Sequence, residues 1–449
     1  MKHRWFLRMA ASVALAVSSF GLTSALAAPK APRPRGAPTA PAGPRAPRDT
    51  GTWTSYPLPS SAAPRWMSSV AISTTDDAWA AGGAVSPNGA TGGTAQVYHF
   101  DGTSWSAISN TTYLTLEALS LIPGVAGTIL VAGDNEGDGT SPGLVETCTV
   151  TGLPNVCTRD MGVPAVDGQD EWVSNLYGIS ALSATDYWAV GGGGGYTPYA
   201  EYGVILHHTS GGWNAVPMTQ TVPLSQTVPL TGTVPSVHYW GVQMLSDGEG
   251  YAVGDGGDAT AAGTIVHYSP ATGRWLPVDT GLTITQTRNM GPLHAVSFIS
   301  PNEGWVVGGN LSTRPTILHY NRTASPQWTM EGVATLPAVV DNQTMLWAVD
   351  MLADGSGYAA GNDGQVLYRS PISATLGYTV TWRSVYTDPG SDADHPNYPP
   401  LYGLSALPDG SMGWAVGGAL NQLPRLLEMT KGALSPVPRQ WLPFVSKGS

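Results

Sequence analysis

At 449 residues the chain is long enough for a large repeat domain, and its charge is unevenly spread: eight of the 20 Lys and Arg residues but only Asp49 of the 31 acids lie in the first 50 positions, leaving the remainder at a formal charge of −18. Lysine there is confined to Lys431 and Lys447. That balance argues against a nucleic acid or an anionic lipid surface as partner, because phosphate binding needs clustered Lys and Arg, and it fits a cation, a neutral sugar or a protein.

The chain opens with Lys2, His3, Arg4 and Arg8, an apolar run from Met9 to Leu22, and Ala25-Leu26-Ala27. A basic start, a short apolar stretch and an A-x-A site form the pattern of a secretory signal peptide, expected over residues 1–27. The run falls short of the roughly 20 apolar residues a membrane helix needs, so no transmembrane segment is expected. Residues 28–50 are Pro, Ala, Gly and Arg with almost nothing to bury, which reads as a disordered linker. The expected location is extracellular or on the cell surface.

From residue 51 to about 440 one motif recurs: aromatic, two small apolar residues, glycine. The copies are Trp79-Ala80-Ala81-Gly82, a degenerate Leu130-Val131-Ala132-Gly133, and tetrads ending at Gly191, Gly254, Gly308, Gly361 and Gly417. Successive glycines stand 51 to 63 residues apart, a period that marks a solenoid or a propeller. Each repeat divides into four short strands, A to D. In the fifth, 293–298 is A, 305–308 is B, 316–320 is C and 327–330 is D, by period-2 alternation between Gly, Pro and Asn clusters. The reading is all-β: a seven-bladed β-propeller of four-stranded antiparallel blades, starting near residues 66, 113, 173, 237, 291, 344 and 400. Gly51-Thr52-Trp53-Thr54 resembles a detached strand D that completes the last blade; the alternative is that 433–437 fill that role. Residues 441–449 form a C-terminal tail, with a sorting or anchoring segment as one reading of it.

Cys148 and Cys157 are the only cysteines and flank a Thr-Gly-Leu-Pro turn, so one disulfide across a hairpin is expected.

The recurring Asn302-Glu303-Gly304-Trp305-Val306-Val307-Gly308, followed by Thr316 to Tyr320 and Trp328, resembles the BNR-like propellers related to the photosystem II stability and assembly factor. The resemblance spans roughly residues 66 to 440 and implies the propeller fold, which serves binding proteins and enzymes alike. The arginine-rich binding surface associated with that factor has no counterpart in this acidic body. The sialidase Asp-box is not matched either, since Phe100 to Trp105 lacks its D-x-G step.

Candidate sites follow from what breaks the repeat. His99, His207, His267 and His319 share one strand position in separate blades, which spreads them around the ring instead of converging them on a metal. Asp76, Asp77, Asp186, Asp247, Glu303, Asp354 and Asp409 fall in the A-to-B turns, where turn chemistry accounts for them. Asp134, Glu136 and Asp138 begin like a calcium loop, but position 12 is Val145; Ca²⁺ is the one cofactor this suggests. Asp388, Asp392 and Asp394 beside His395 make a second acidic cluster.

Connections B-to-C and D-to-A are long, and in an up-and-down blade both lie on one face, where variable loops on a rigid scaffold carry binding. Tyr196, Tyr199 and Tyr202 belong to that face. Strand A begins there, and its second position reads Ser68, Glu117, Tyr177, Trp240, His294, Trp347 and Tyr402. With strand A innermost these residues approach the mouth of the central channel, where Tyr and Trp suit a sugar or a peptide. The leading expectation is a monomeric, non-catalytic binder of a protein or carbohydrate ligand. The alternatives are a glycan-active hydrolase or lyase using Glu117 and His294 as acid and base, and a surface or matrix structural protein.

Overall fold

The computed structural model of the chain describes residues 51–56, 66–83, 95–110, 115–134, 143–150, 156–160, 163, 175–194, 201–216, 238–255, 263–282, 290–309, 315–333, 345–371, 382–386, 400–418 and 424–431. They form seven four-stranded antiparallel sheets, each running A-B-C-D from the inside out, in sequence order in blades 1 to 6. The A strands of blades 1 to 7 are Trp66–Thr74, Thr115–Leu121, Asn175–Ser183, Tyr239–Met244, Leu293–Ser300, Leu346–Met351 and Leu401–Ala406. Each packs against the A strands of the blades before and after it, blade 7 against blade 1 included, so the A strands are the inner ring. No helix among the described residues is long and apolar enough to cross a membrane.

Ring closure is settled by the seventh sheet. Thr52–Ser55 pairs antiparallel with Arg425–Thr430, Trp53 opposite Met429, and supplies the blade's strand D. Residues 433–437, the alternative, lie outside the described residues, as do the signal segment, the linker and the tail. Trp53 is buried, its ring meeting Tyr358 of blade 6 edge-on with centroids 5.6 Å apart. Tyr56 then spans the seam between last and first blades, 5.3 Å from Trp414 and 6.1 Å from Phe100.

The hydrophobic core is divided by the blades. Seven clusters of buried side chains each draw from two adjacent blades. The tetrad aromatics supply their bulk: Trp79 packs toward blade 2, Trp188 toward blade 4, Trp305 toward blade 6 and Trp414 toward blade 1. A single blade therefore leaves its apolar faces exposed, and only the closed ring buries them.

A belt of hydrogen bonds near the axis ties each blade to the next. Backbone N–H groups of Ala181, Met244, Met351 and Ile72 donate to Ser120, Ser180, Ser297 and Ser405 hydroxyls of the preceding blade. Phe298 donates to Gln243 Oε1 at 2.6 Å and Ala406 to Asp350 Oδ2 at 2.7 Å. These acceptors share one position on strand A. Blade 1 has Ala71 there, and Ser69 instead accepts from Leu119 N–H at 3.2 Å.

In blades 1, 3, 4 and 5 the outer half is braced by a histidine. His99, His207, His267 and His319 lie against Trp79, Trp188, Tyr251 and Trp305 of their own blades, with centroids 3.7 to 4.6 Å apart. Their Nε2 atoms meet Asp77, Asp186, Glu249 and Glu303 at 2.8 to 3.3 Å. Each is a repeated brace, not a share of a common metal site. Asp247, Asp354 and Asp409 accept from backbone N–H groups two residues on, which is ordinary turn chemistry.

Candidate functional site at the channel mouth

The seven second-position residues share a backbone feature. In every blade the register between strands A and B slips at that residue, between Met67 and Ser69, Leu116 and Ala118, Leu176 and Gly178, Tyr239 and Gly241, Leu293 and Ala295, Leu346 and Ala348, and Leu401 and Gly403. Ser68, Glu117, Tyr177, Trp240, His294, Trp347 and Tyr402 are thus the unpaired residues of seven β-bulges. A bulge inserts one residue, bends the strand and re-aims that side chain.

The tetrad glycine makes the bulge feasible. At Gly82, Gly133, Gly191, Gly254, Gly308, Gly361 and Gly417 a Cβ atom would run into the backbone carbonyl oxygen at the start of the same blade's strand A. The bulged strand presses so close to its neighbour that no side chain fits between them.

On these inner strands, five of the seven side chains form a continuous arc through blades 3 to 7. Ring centroids are 4.4 Å apart for Tyr177 and Trp240, 6.0 Å for Trp240 and His294, 4.0 Å for His294 and Trp347, and 5.5 Å for Trp347 and Tyr402. Blades 1 and 2 complete the circle with Ser68 and Glu117. The Ser68 hydroxyl is bonded to the carbonyl oxygens of Ala81 (3.2 Å) and Leu116.

Polar atoms of the arc are held by their surroundings. Trp240 Nε1 donates to Asp255 Oδ2 at 3.0 Å and Trp347 Nε1 to Asn362 Oδ1 at 2.8 Å. Asn175 Nδ2 donates to the Tyr177 hydroxyl at 3.2 Å. Asp255 also accepts from His238 N–H at 3.2 Å, with His238 Nδ1 3.4 Å from the same carboxylate. Sequence reasoning missed Asp255 and Asn362. The signal was one residue past the motif: the position after the tetrad glycine is Gly in blades 1, 3, 5 and 7 but Asp134, Asp255 and Asn362 in blades 2, 4 and 6.

Burial sets the electrostatics. Glu117 is only partly exposed to solvent, and desolvation pushes its carboxyl up to about 7, against a smaller opposing hydrogen bond with Thr115. His294 is buried, and desolvation drives its imidazole down to about 4, so at neutral pH the ring is uncharged. Its Nδ1 lies 3.0 Å from the Leu346 carbonyl and carries the proton it donates there. Tyr402 is pushed up to about 12 by burial, with the charge of Glu117 adding to the effect, which places the two within electrostatic reach across Ser68.

Tyr202 sits at the start of strand C of blade 3 with its backbone paired to Gly193. Tyr196, Tyr199, Glu136, Asp138, Asp388, Asp392, Asp394 and His395 lie outside the described residues. Asp134 ends strand B of blade 2, its backbone paired to Thr115. Cys148 and Cys157 are disulfide-bonded across strands C and D of blade 2, as cross-strand partners. Among the described residues the one trio with metal-ligand chemistry close together is Glu146, Cys148 and Cys157, and its sulfurs are committed to that disulfide.

No protein-family model and no curated protein matches the chain. Solved structures do. YCF48 from Cyanidioschyzon merolae, the photosystem II assembly factor, superposes with a TM-score of 0.52 at 15% identity, over 84% of this chain and 98% of that one. The GH74 xyloglucanase of Xanthomonas campestris gives 0.50 at 14% identity, over 82% of this chain and 52% of that one. YCF48 bound to D1 peptide gives 0.48 at 15% identity, over 84% and 97%. The YCF48-like propeller expected from the sequence is therefore shared at the level of fold.

Proposed function

We propose that this protein is a secreted, non-catalytic binding scaffold whose protein or glycan ligand docks on the face where the A strands begin, anchored by the aromatic arc. The observation that carries the reading is the set of seven bulges, one per blade, five of whose residues form a continuous aromatic arc. A fold that needs seven close-packed glycines to sustain those bulges commits its backbone to the channel mouth. Clustered Trp and Tyr present large contact area at low conformational cost. Secretion is supported by the basic, apolar and A-x-A segments of residues 1–27 and by the disulfide.

The acid–base alternative is favoured by one observation, that desolvation raises the Glu117 carboxyl to about 7, within the range of a general acid at neutral pH. Glycan and peptide arrays probed with the wild-type chain, Trp347→Ala and Tyr402→Ala test the binding reading. Both variants are expected to lose signal, and Val125→Ser, in the A-to-B turn of blade 2 on the opposite face, to retain it. Unchanged binding by both aromatic variants overturns the reading. Release of cleaved product by the wild type but not by Glu117→Gln favours catalysis.

A further inference from the structure

We propose that the channel mouth recognises an organic cation, an ammonium or guanidinium group presented by the ligand, held against the faces of Trp347 and Tyr402 and neutralised by Glu117. This rests on the binding reading and deepens it.

The argument begins with what the arc offers. The aromatic faces carry negative electrostatic potential and attract cations, Trp most strongly. Several of the hydrogen-bonding edges are already engaged. The indole N–H groups of Trp240 and Trp347 are given to Asp255 and Asn362, the Ser68 hydroxyl to Ala81 and Leu116, and His294 Nδ1 to Leu346. A sugar bound through directed hydrogen bonds finds these donors spent, whereas a cation needs only ring faces and a counter-charge.

Glu117 is that counter-charge. It is the single carboxylate among the seven bulge residues, and no A or B strand of any blade contains a Lys or Arg. The basic residues of the described structure sit farther out in their blades, and the two with the best-defined partners are engaged there: Arg369 with Glu331 and Arg322 with Glu249. No strand lining the mouth therefore supplies a cation for Glu117. The acidic body, at −18 beyond residue 50, adds long-range attraction for a positively charged group.

A physical signature follows. Burial keeps Glu117 protonated up to about 7, and a cation seated beside it favours the carboxylate. Binding near pH 6 then releases a proton to the buffer.

The test is isothermal calorimetry on the full chain with L-argininamide and tetramethylammonium chloride as cation probes, and with cellobiose, N-acetylglycinamide and sodium acetate as neutral and anionic probes. Cation probes are expected to bind, with a heat at pH 6 that depends on the buffer's ionisation enthalpy. Glu117→Gln is expected to weaken them about tenfold, equivalent to ~1.4 kcal/mol, and to abolish the buffer dependence. Trp347→Ala weakens both cations, while Trp347→Phe keeps part of the affinity. Absence of a saturable response to either cation overturns the proposal, as does equal affinity in Glu117→Gln. Cellobiose or N-acetylglycinamide binding that Trp347→Ala removes overturns the cation while leaving the docking face intact. Acetate binding overturns it in favour of an anion site.

Discussion

Two partly buried acids show how single residues trade stability for position. Glu331, at the end of blade 5, accepts from Arg369 Nη2 at 2.8 Å and Nε at 3.0 Å and from Trp382 Nε1 at 2.7 Å. Arg369, almost fully buried, also donates to the Gly355 carbonyl and stacks 4.7 Å above Trp305. Burial raises the Glu331 carboxyl while the Arg369 and Trp382 bonds outweigh it, so the net direction is downward. Glu117 is the opposite case, with desolvation dominant and no guanidinium to offset it. Its folded value, about 7, lies above the model-peptide 4.5, so between these limits the folded state binds more protons than the unfolded. Stability contributed by the protonated group is complete below about 4.5 and is lost as pH rises toward 7. Glu117→Gln is therefore expected to exceed the wild type at pH 8 by at most roughly 3 kcal/mol and to match it near pH 4, as read by urea unfolding at both values. A site that tolerates this cost is reserving a charge, which is the pattern of a functional residue.

At the scale of the element, the strand A bulge and the strand B glycine are one device. The tetrad was legible in the sequence as a scaffold mark, and the seven second-position residues were legible as a column. Nothing linear joined them. They lie in different strands, and their relation is a backbone contact, Pro292 O against Gly308 in blade 5 for example. Gly308→Ala is expected to cost roughly 1–3 kcal/mol, because the added methyl must displace backbone. Gly332→Ala, where nothing lies within 4 Å of the added Cβ, is expected to change stability by less than about 0.5 kcal/mol. Denaturant midpoints of the two variants compare them directly; equal effects would break the link between glycine and bulge. The alternation of Gly with Asp or Asn after the tetrad was also present in the sequence. Its meaning in blades 4 and 6, a partner for the indole N–H groups of Trp240 and Trp347, required the pairing of strands A and B.

For the whole molecule, closure decides stability. Seven clusters shared between neighbouring blades and a belt of axial hydrogen bonds run around the ring, and Thr52–Ser55 supplies the outer strand of its last blade. Trp53→Ala is expected to cost about 3–5 kcal/mol by truncating a buried indole, and deletion of residues 51–56 to split the single thermal transition into broader, lower ones. A deletion variant that melts as the wild type does would show that the ring is held without its N-terminal strand. By itself the sequence determined the strand repeat, the number of blades, the disulfide partners and the residues at the second position of strand A, because period, alternation and spacing are local properties of a chain. Only the tertiary structure decided which strand completes the last blade, that the histidines brace turn acids instead of converging, and that Glu117 and the aromatic arc share one mouth. Those facts depend on distances between residues tens to hundreds of positions apart, and such distances are fixed when the ring closes.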